Sequence, residues 1–294
     1  MTEARVEPLG KVRTKIVATL GPASRDPETL RALVQAGVDV FRLNFSHASY
    51  EEHAETLRRV RAAADACGRV VAVLQDLCGP KIRLGAIHDD AVECHLDDVF
   101  TLVKTSVGDD PHTFTCTYSE LADDLRPGDD VYYADGTVAM VVTEIAPGLA
   151  RMKVTLPGRV RSHQGINLPG AALNVRALTD KDLADLDWTA VNPVEYVGLS
   201  FVRHSADVVQ LRKELERRGS KAKIVVKIEK PQAVENLDAI IAETDAVMVA
   251  RGDLGVELDV AKVPAIQKRV ITACRSARVP MPSSAISSTL RQKA

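Results

Sequence analysis

The sequence predicts an α/β fold of repeated strand–helix units, the kind that sets parallel strands side by side in a (β/α) barrel, with a β-rich segment inserted after the third strand. Three observations carry this. Short, almost purely apolar runs alternate with amphipathic helical stretches in the first third and the last third of the chain, and a parallel strand buried on both faces reads as such a run. Between about Lys81 and Asn167 the pattern changes to short β-like runs broken by Gly, Pro and Asp. Lys227-Ile228-Glu229 and Ala250-Arg251-Gly252-Asp253-Leu254-Gly255 each follow an apolar run, with one amphipathic helix expected between them. Parallel neighbours need a helical crossover, so Lys227, Glu229 and Asp253 are expected at one edge of the sheet, where (β/α) barrels do their chemistry. An ammonium and two carboxylates there suit a hard divalent cation and an anionic, oxygen-rich substrate.

The elements follow in order. Thr14 to Leu20 reads as a strand stopped by Gly21-Pro22. Asp26-Pro27 opens a helix with Pro in its first turn; Leu30, Leu33 and Val34 form its apolar face and Gly37 ends it. Asp39 to Phe45 is the second strand. Ser49 and Glu52 have capping-box spacing for a longer helix that ends near Gly68. Arg69 to Asp76 is the third strand. In the insert, Val131 to Ala134 and Thr137 to Val142 flank Asp135-Gly136, a hairpin signal. Alternation resumes at Thr179. Tyr196 to Phe201 is the fourth strand, Ser205 is the expected cap of the next helix, and Gly219 stops it. Lys223 to Ile228 and Ala246 to Val249 are the fifth and sixth strands, with a helix opened by Pro231 between them. Asp259 to Ala277 is the last helix. Beyond it, Val279-Pro280 starts an apolar run, but a second proline and a serine cluster, Pro282 to Ser288, do not suit a buried parallel strand.

At 294 residues the chain can bury a large core. It is 46% hydrophobic and 27% charged, with a net charge of −2, so nothing in its balance points to a nucleic-acid or membrane surface. Aromatics make up only 4%, so aliphatic side chains must fill the interior. The five cysteines are scattered, with no C-x-x-C pair, which favours free thiols in a reducing cytoplasm over a disulfide framework. No signal core stands at Met1 to Val12, and no apolar stretch is long enough to span a bilayer.

Five segments, in order and spacing, resemble one family: Thr14-Lys15-Ile16-Val17-Ala18-Thr19-Leu20-Gly21-Pro22-Ala23-Ser24, Arg42-Leu43-Asn44-Phe45-Ser46-His47, Asp76-Leu77-Cys78-Gly79-Pro80-Lys81-Ile82-Arg83, Gly165-Ile166-Asn167-Leu168-Pro169-Gly170, and the Lys227 to Gly255 region. That family is pyruvate kinase, and the resemblance runs from about Lys11 to Pro280. It implies a (β/α)8 TIM-type barrel, here incomplete with about six strand–helix units, and a small inserted β-barrel lid. Residues 1–80 and 168–294 would form the barrel and 81–167 the lid, without the family's last two barrel strands and C-terminal regulatory domain. The chain thus reads as a truncated member with an atypical tail after Pro280.

The resemblance also implies site residues. Lys227 resembles the catalytic lysine; the alternative is a strand-end lysine reaching solvent. Glu229 and Asp253 resemble the Mg²⁺ (or Mn²⁺) ligands; the alternative is a structural ion pair with Lys227, Lys230 or Arg251. Gly252 and Asp253 would present N–H groups to the substrate carboxylate, unless Gly252 is a plain turn glycine. Arg42 resembles the arginine that grips the transferred phosphate, its alternative being a surface salt bridge. Asn44, Ser46, Asp76 and the Leu77 carbonyl resemble a monovalent cation site, with local turn hydrogen bonding the alternative for Asn44 and Ser46. Asn44, His47 and Arg83 match positions near the nucleotide phosphates.

The chain also departs from the family. Lys81 stands where K⁺-dependent members carry glutamate, and its ammonium could replace the ion or point into solvent. Gln164 stands where many relatives have a lysine. The family's threonine after the seventh strand has no counterpart; about Ser284 or Ala285 takes its place.

The implied reaction is phosphoryl transfer from phosphoenolpyruvate to ADP, giving pyruvate and ATP, in the cytoplasm. Its cofactor would be Mg²⁺, with K⁺ possible; the family is usually homotetrameric. Two alternatives stand beside it: a Mg²⁺-dependent lyase or aldolase acting on a pyruvate enolate, and a catalytically impaired fragment or inactive partner of a full-length relative. For a barrel left open, low solubility or recovery as an oligomer is expected.

Overall fold

Apolar runs of four to seven residues make six parallel strands, and capped amphipathic helices return the chain between them. The computed structural model describes residues 15–105, 110–170 and 175–281. The first part comprises β1 (Ile16–Thr19), α1 (Pro27–Gln35), β2 (Val38–Asn44), α2 (Tyr50–Ala66) and β3 (Ala72–Asp76). Asp26 caps α1 by accepting from the Glu28 and Thr29 N–H groups, and Ser49 and Glu52 form the expected capping box on α2.

The insert follows: β4 (Ala91–Cys94), β5 (Val99–Val103), β6 (Thr113–Phe114), the one-turn helix α3 (Leu121–Asp124), β7 (Asp130–Tyr133), β8 (Val138–Ala146), β9 (Leu149–Leu156), β10 (Gly158–Arg161) and β11 (Ile166–Asn167). Its strands form a two-stranded sheet, β10-β4, and a six-stranded sheet, β11-β7-β8-β9-β5-β6. The β7–β8 hairpin turns through Ala134, Asp135 and Gly136, all at positive φ. A core of its own, including Phe100, Phe114, Tyr133 and Met152, lies between these strands.

The chain then forms α4 (Asp180–Val191), β12 (Tyr196–Leu199), α5 (Ser205–Arg217), β13 (Lys223–Ile228), α6 (Pro231–Glu235), α7 (Leu237–Glu243), β14 (Ala246–Val249), α8 (Arg251–Glu257) and α9 (Val263–Ala277). The parallel sheet has the order β1-β2-β3-β12-β13-β14, an incomplete (β/α) barrel. Among the described residues β1 and β14 are its edges, although the Val247 N–H donates to the Pro280 carbonyl, so the run after α9 begins to pair beside β14.

The sheet's period of two separates its faces. Phe41, Val73, Val197, Ile224, Val226 and Val247 pack against the helices in the main core. Leu74, Val225, Ala246 and Met248 form a small cluster on the other face. Lys227 alternates with Val225, and Asp76 with Leu74, so the polar residues continue this inner face toward the carboxyl ends of the strands.

Three local expectations are corrected. His204 caps α5, and Ser205 is its first helical residue; Asp207 accepts from the His204 N–H. The segment between β13 and β14 is two short helices, broken at Asn236, whose amide donates to the Arg203 and Gln232 carbonyls instead of continuing a smooth helix. The last helix starts at Val263, after a 3₁₀ turn over Val260–Lys262 that Asp259 caps, with Pro264 in its first turn.

Candidate active site

The inward positions at the carboxyl ends of β2, β3, β12 and β13 bring Arg42, Asp76, Ser200, Lys227 and Glu229 together. The register sets this: Asn44 lies opposite Asp76, Gly198 opposite Asp76, and Leu199 opposite Val226. Asp76 is 2% exposed and Glu229 1%, so both carboxylates are out of water. Gly198 makes room for Asp76: a Cβ there would lie 2.9 Å from Asp76 Oδ1.

Arg42 Nε donates to Asp76 Oδ2 at 2.7 Å, and Arg42 Nη1 donates to Thr19 Oγ1 at 2.9 Å. Lys227 Nζ donates to Ser200 Oγ at 2.9 Å, and the Ser200 hydroxyl donates to the Leu77 carbonyl at 2.8 Å. Lys227 Nζ also lies 2.7 Å from Glu229 Oε1 and 3.5 Å from Asp76 Oδ1. Both are ion pairs by distance. Among the described residues Glu229 Oε1 is met by the Lys227 ammonium alone, and Asp76 Oδ1, at the longer distance, is a buried oxygen without a hydrogen bond. The other Glu229 oxygen accepts from the Phe201 N–H at 2.9 Å.

Burial opposes the charge on Lys227, but the Asp76 and Glu229 carboxylates outweigh it and hold the ammonium above its ordinary pKa. Burial pushes the Glu229 carboxyl up; the Lys227 charge pulls it back, and the Asp253 charge adds to the rise. Three carboxylates (Asp76, Glu229, Asp253) against two cations (Arg42, Lys227) leave the cluster with one negative charge in excess.

Asp253 is half-buried in the first turn of α8, after exposed Gly252, and a Cβ on Gly252 would meet nothing within 4 Å. The first N–H groups of a helix have no partner within it. Asn44 Oδ1 accepts from the Ser46 N–H at 3.1 Å, the local turn bond foreseen as an alternative. Asn44 and His47 line a cleft of about 420 Å³ with Thr19, Gly21, Arg25 and Glu52. Arg83 lies apart on the insert, its guanidinium donating to the His163 carbonyl at 3.2 Å. The Lys81 side chain packs on Gly165, where a Cβ would lie 3.2 Å from its Cε. Gln164 Oε1 accepts from the Arg161 N–H at 2.7 Å. Ser284 and Ala285 lie outside the described residues. Among the described residues no group of three or more His, Cys, Asp or Glu side chains forms a metal cage.

Sequence reasoning missed Ser200, Phe201, Asp182 and Lys181. Asp182 is fully buried and accepts from the Gly79 N–H at 3.1 Å, fixing the turn after β3. Lys181 Nζ donates to the Phe45 carbonyl at 2.8 Å and pairs with Asp185, bracing the segment that carries Asn44 and Ser46. The available signal was the polar Ser200 closing an apolar strand run, Val197 to Leu199.

Residues 11–286 match the family described as "Pyruvate kinase, barrel domain". The chain is 43% identical over 269 residues to a protein named pyruvate kinase from Mycobacterium tuberculosis, covering 92% of this chain and 57% of the relative. It is 40% identical over 270 residues to one from Agrobacterium vitis, covering 92% and 56%, and 38% identical over 269 residues to one from Thermococcus litoralis, covering 92% and 57%. The chain thus spans little more than half the length of these curated relatives.

Proposed function

The chain belongs to the pyruvate kinase family, and on that premise we propose that its site transfers a phosphoryl group from phosphoenolpyruvate to ADP, giving pyruvate and ATP. The observation that carries this reading is the Lys227 ammonium held between two buried carboxylates, 2.7 Å from Glu229 Oε1 and 3.5 Å from Asp76 Oδ1, the latter oxygen without a hydrogen bond among the described residues. Buried polar atoms are nearly always paired, and such exceptions mark sites.

The cluster's surplus negative charge, with the Asp253 charge beside Glu229, fits a divalent cation, Mg²⁺ or Mn²⁺, with Glu229 and Asp253 as its protein ligands. Bound there, the cation would offset negative charge on the oxygens of the transferring group. Lys227 faces the same space and stabilises charge that grows as the phosphoryl group moves and the enolate oxygen is left behind. Arg42, anchored on Asp76 and Thr19, turns its remaining N–H groups to the phosphate. The open space at Gly252 lets the substrate carboxylate approach the first-turn N–H groups of Gly252 and Asp253. Asn44 and His47 line the cleft that would take the nucleotide phosphates; Arg83 lies apart from it on the insert, and its part in holding the nucleotide rests on the family resemblance. K⁺ would sit among Asn44, Ser46, Asp76 and the Leu77 carbonyl, or the Lys81 ammonium supplies its charge; turnover with and without KCl separates the two.

No helix among the described residues is long and apolar enough to cross a membrane. All five cysteines are free thiols, which supports a cytoplasmic setting. The test is a coupled assay of the purified chain with phosphoenolpyruvate, ADP and Mg²⁺, run beside size-exclusion chromatography. Pyruvate formed in proportion to ATP supports the reading. A folded chain that forms neither contradicts it.

A further inference from the structure

We propose that the Ser200–Phe201 turn presets the distance between Lys227 and Glu229, with Ser200 as the positioning residue for the Lys227 ammonium; this rests on the reading of Lys227 given above. The turn touches both charged groups. Ser200 Oγ accepts from Lys227 Nζ at 2.9 Å, and the Phe201 N–H donates to Glu229 Oε2 at 2.9 Å.

The Ser200 hydroxyl is itself fixed, because its proton goes to the Leu77 carbonyl at 2.8 Å. A hydroxyl has one proton and two lone pairs. With the proton committed to Leu77, a lone pair is left facing the ammonium. Lys227 has three N–H donors: Ser200 Oγ accepts one at 2.9 Å, Glu229 Oε1 lies 2.7 Å from the ammonium, and Asp76 Oδ1 lies farther, at 3.5 Å. One donor is thus held by a neutral group, and the other two stay near the charges they must balance.

The backbone is built around this turn. Phe201 has φ +56°, in the left-handed region that non-glycine residues rarely occupy. Gly79, at φ +66°, lies against it: a Cβ there would be 2.9 Å from Phe201 Cδ2 and 3.1 Å from Ser200 Cβ. The buried Asp182 carboxylate holds the Gly79 N–H. Thus the turns after β3 and β12 lock together behind Lys227. Without the Ser200 hydroxyl, the ammonium would shift toward Asp76 Oδ1, now 3.5 Å away, and leave its place in the site.

The test uses Ser200→Ala, Ser200→Thr and Lys227→Met in the full chain, with two readouts: steady-state turnover, and crystal structures of the two Ser200 variants. A hydrogen bond to a charged group is worth about tenfold or more in rate, so Ser200→Ala is expected to lower kcat by about that factor while KM holds; Tm falls modestly as the Leu77 carbonyl loses its donor. Its Lys227 Nζ should close the 3.5 Å gap to Asp76 Oδ1, and Ser200→Thr should restore both position and rate. A Ser200→Ala variant with wild-type kcat and an unmoved Lys227 overturns the proposal, and a dead Lys227→Met beside it leaves the reading of the site standing. Full turnover in Lys227→Met sinks that reading itself. If the chain shows no turnover, the structures alone decide: an unmoved Lys227 in Ser200→Ala refutes the positioning role.

Discussion

At Glu229, burial, an ammonium and a second carboxylate act on one group. Its Oε2 is held by the Phe201 N–H, and its Oε1 is met, among the described residues, only by the Lys227 ammonium at 2.7 Å. Replacing the carboxylate by an amide removes the charge and keeps the shape. Glu229→Gln and Asp253→Asn are therefore expected to weaken Mn²⁺ binding by about tenfold or more each, since hard cations favour anionic oxygen. Electron paramagnetic resonance titration measures this directly, and wild-type titration curves in both variants would place the metal elsewhere. Arg42 differs in kind: its Nε and Nη2 are committed to Asp76 and its Nη1 to Thr19, so it is a preset fork and not a mobile surface charge.

The strand-end turns and their bracing helices tie structure to site. Gly79 has no room for a methyl group and a φ that disfavours one. Gly79→Ala should cost about 1–3 kcal/mol and also disturb the Ser200–Phe201 turn, so stability and turnover should fall together. Chemical denaturation beside kinetics checks this; a stable variant with intact turnover would contradict the tight packing. Helix α2 sends buried His53 against Phe45, with ring centroids 4.1 Å apart, and its Nε2 lies 2.8 Å from the His47 carbonyl. Burial pushes the His53 pKa below its ordinary 6.5. The unfolded chain then binds the proton first, so stability rises with pH from the lowered value up to 6.5 and is lost as pH falls back through that window. His53→Gln should make that part of a denaturation-versus-pH curve shallower, and an unchanged slope would assign it to other groups.

At the scale of the whole molecule, the insert and the barrel strands meet at Glu257. Its carboxylate, on α8, pairs with Lys230 at 2.7 Å and accepts from the Asn167 amide at 3.3 Å. Asn167 belongs to the last strand of the insert, and Lys230 follows β13. The Glu257 side chain is 2% exposed and that of Lys230 17%. Glu257→Ala would leave a half-buried ammonium without its partner and the Asn167 amide without its acceptor, and we expect a loss of about 1–3 kcal/mol, read by urea unfolding. A loss under about 0.5 kcal/mol would show the pair to be incidental. We propose that the chain divides at 80/81 and near 167/168: the main cluster breaks off after Leu77 and resumes at Leu178, and the insert's own cluster runs from Ile82 to Leu168, one residue past the second boundary.

By itself the sequence determined the order of strands and helices, the β-rich insert, and the identity of Lys227, Glu229, Asp253 and Arg42 as residues to examine. Buried parallel strands are continuous apolar runs, so charged residues at their ends stand out. Helix starts were legible at Asp26, Ser49 and Thr179, where a side chain caps its own neighbours. Only the tertiary structure decided which polar groups touch. Ser200 meets Lys227 across 27 positions, Asp182 meets Gly79 across 103, and Lys181 meets Phe45 across 136. Such contacts follow from the register of neighbouring strands and the seating of helices on the sheet. No local propensity encodes them, and a serine closing an apolar run looks the same whether it holds an ammonium or only ends a strand.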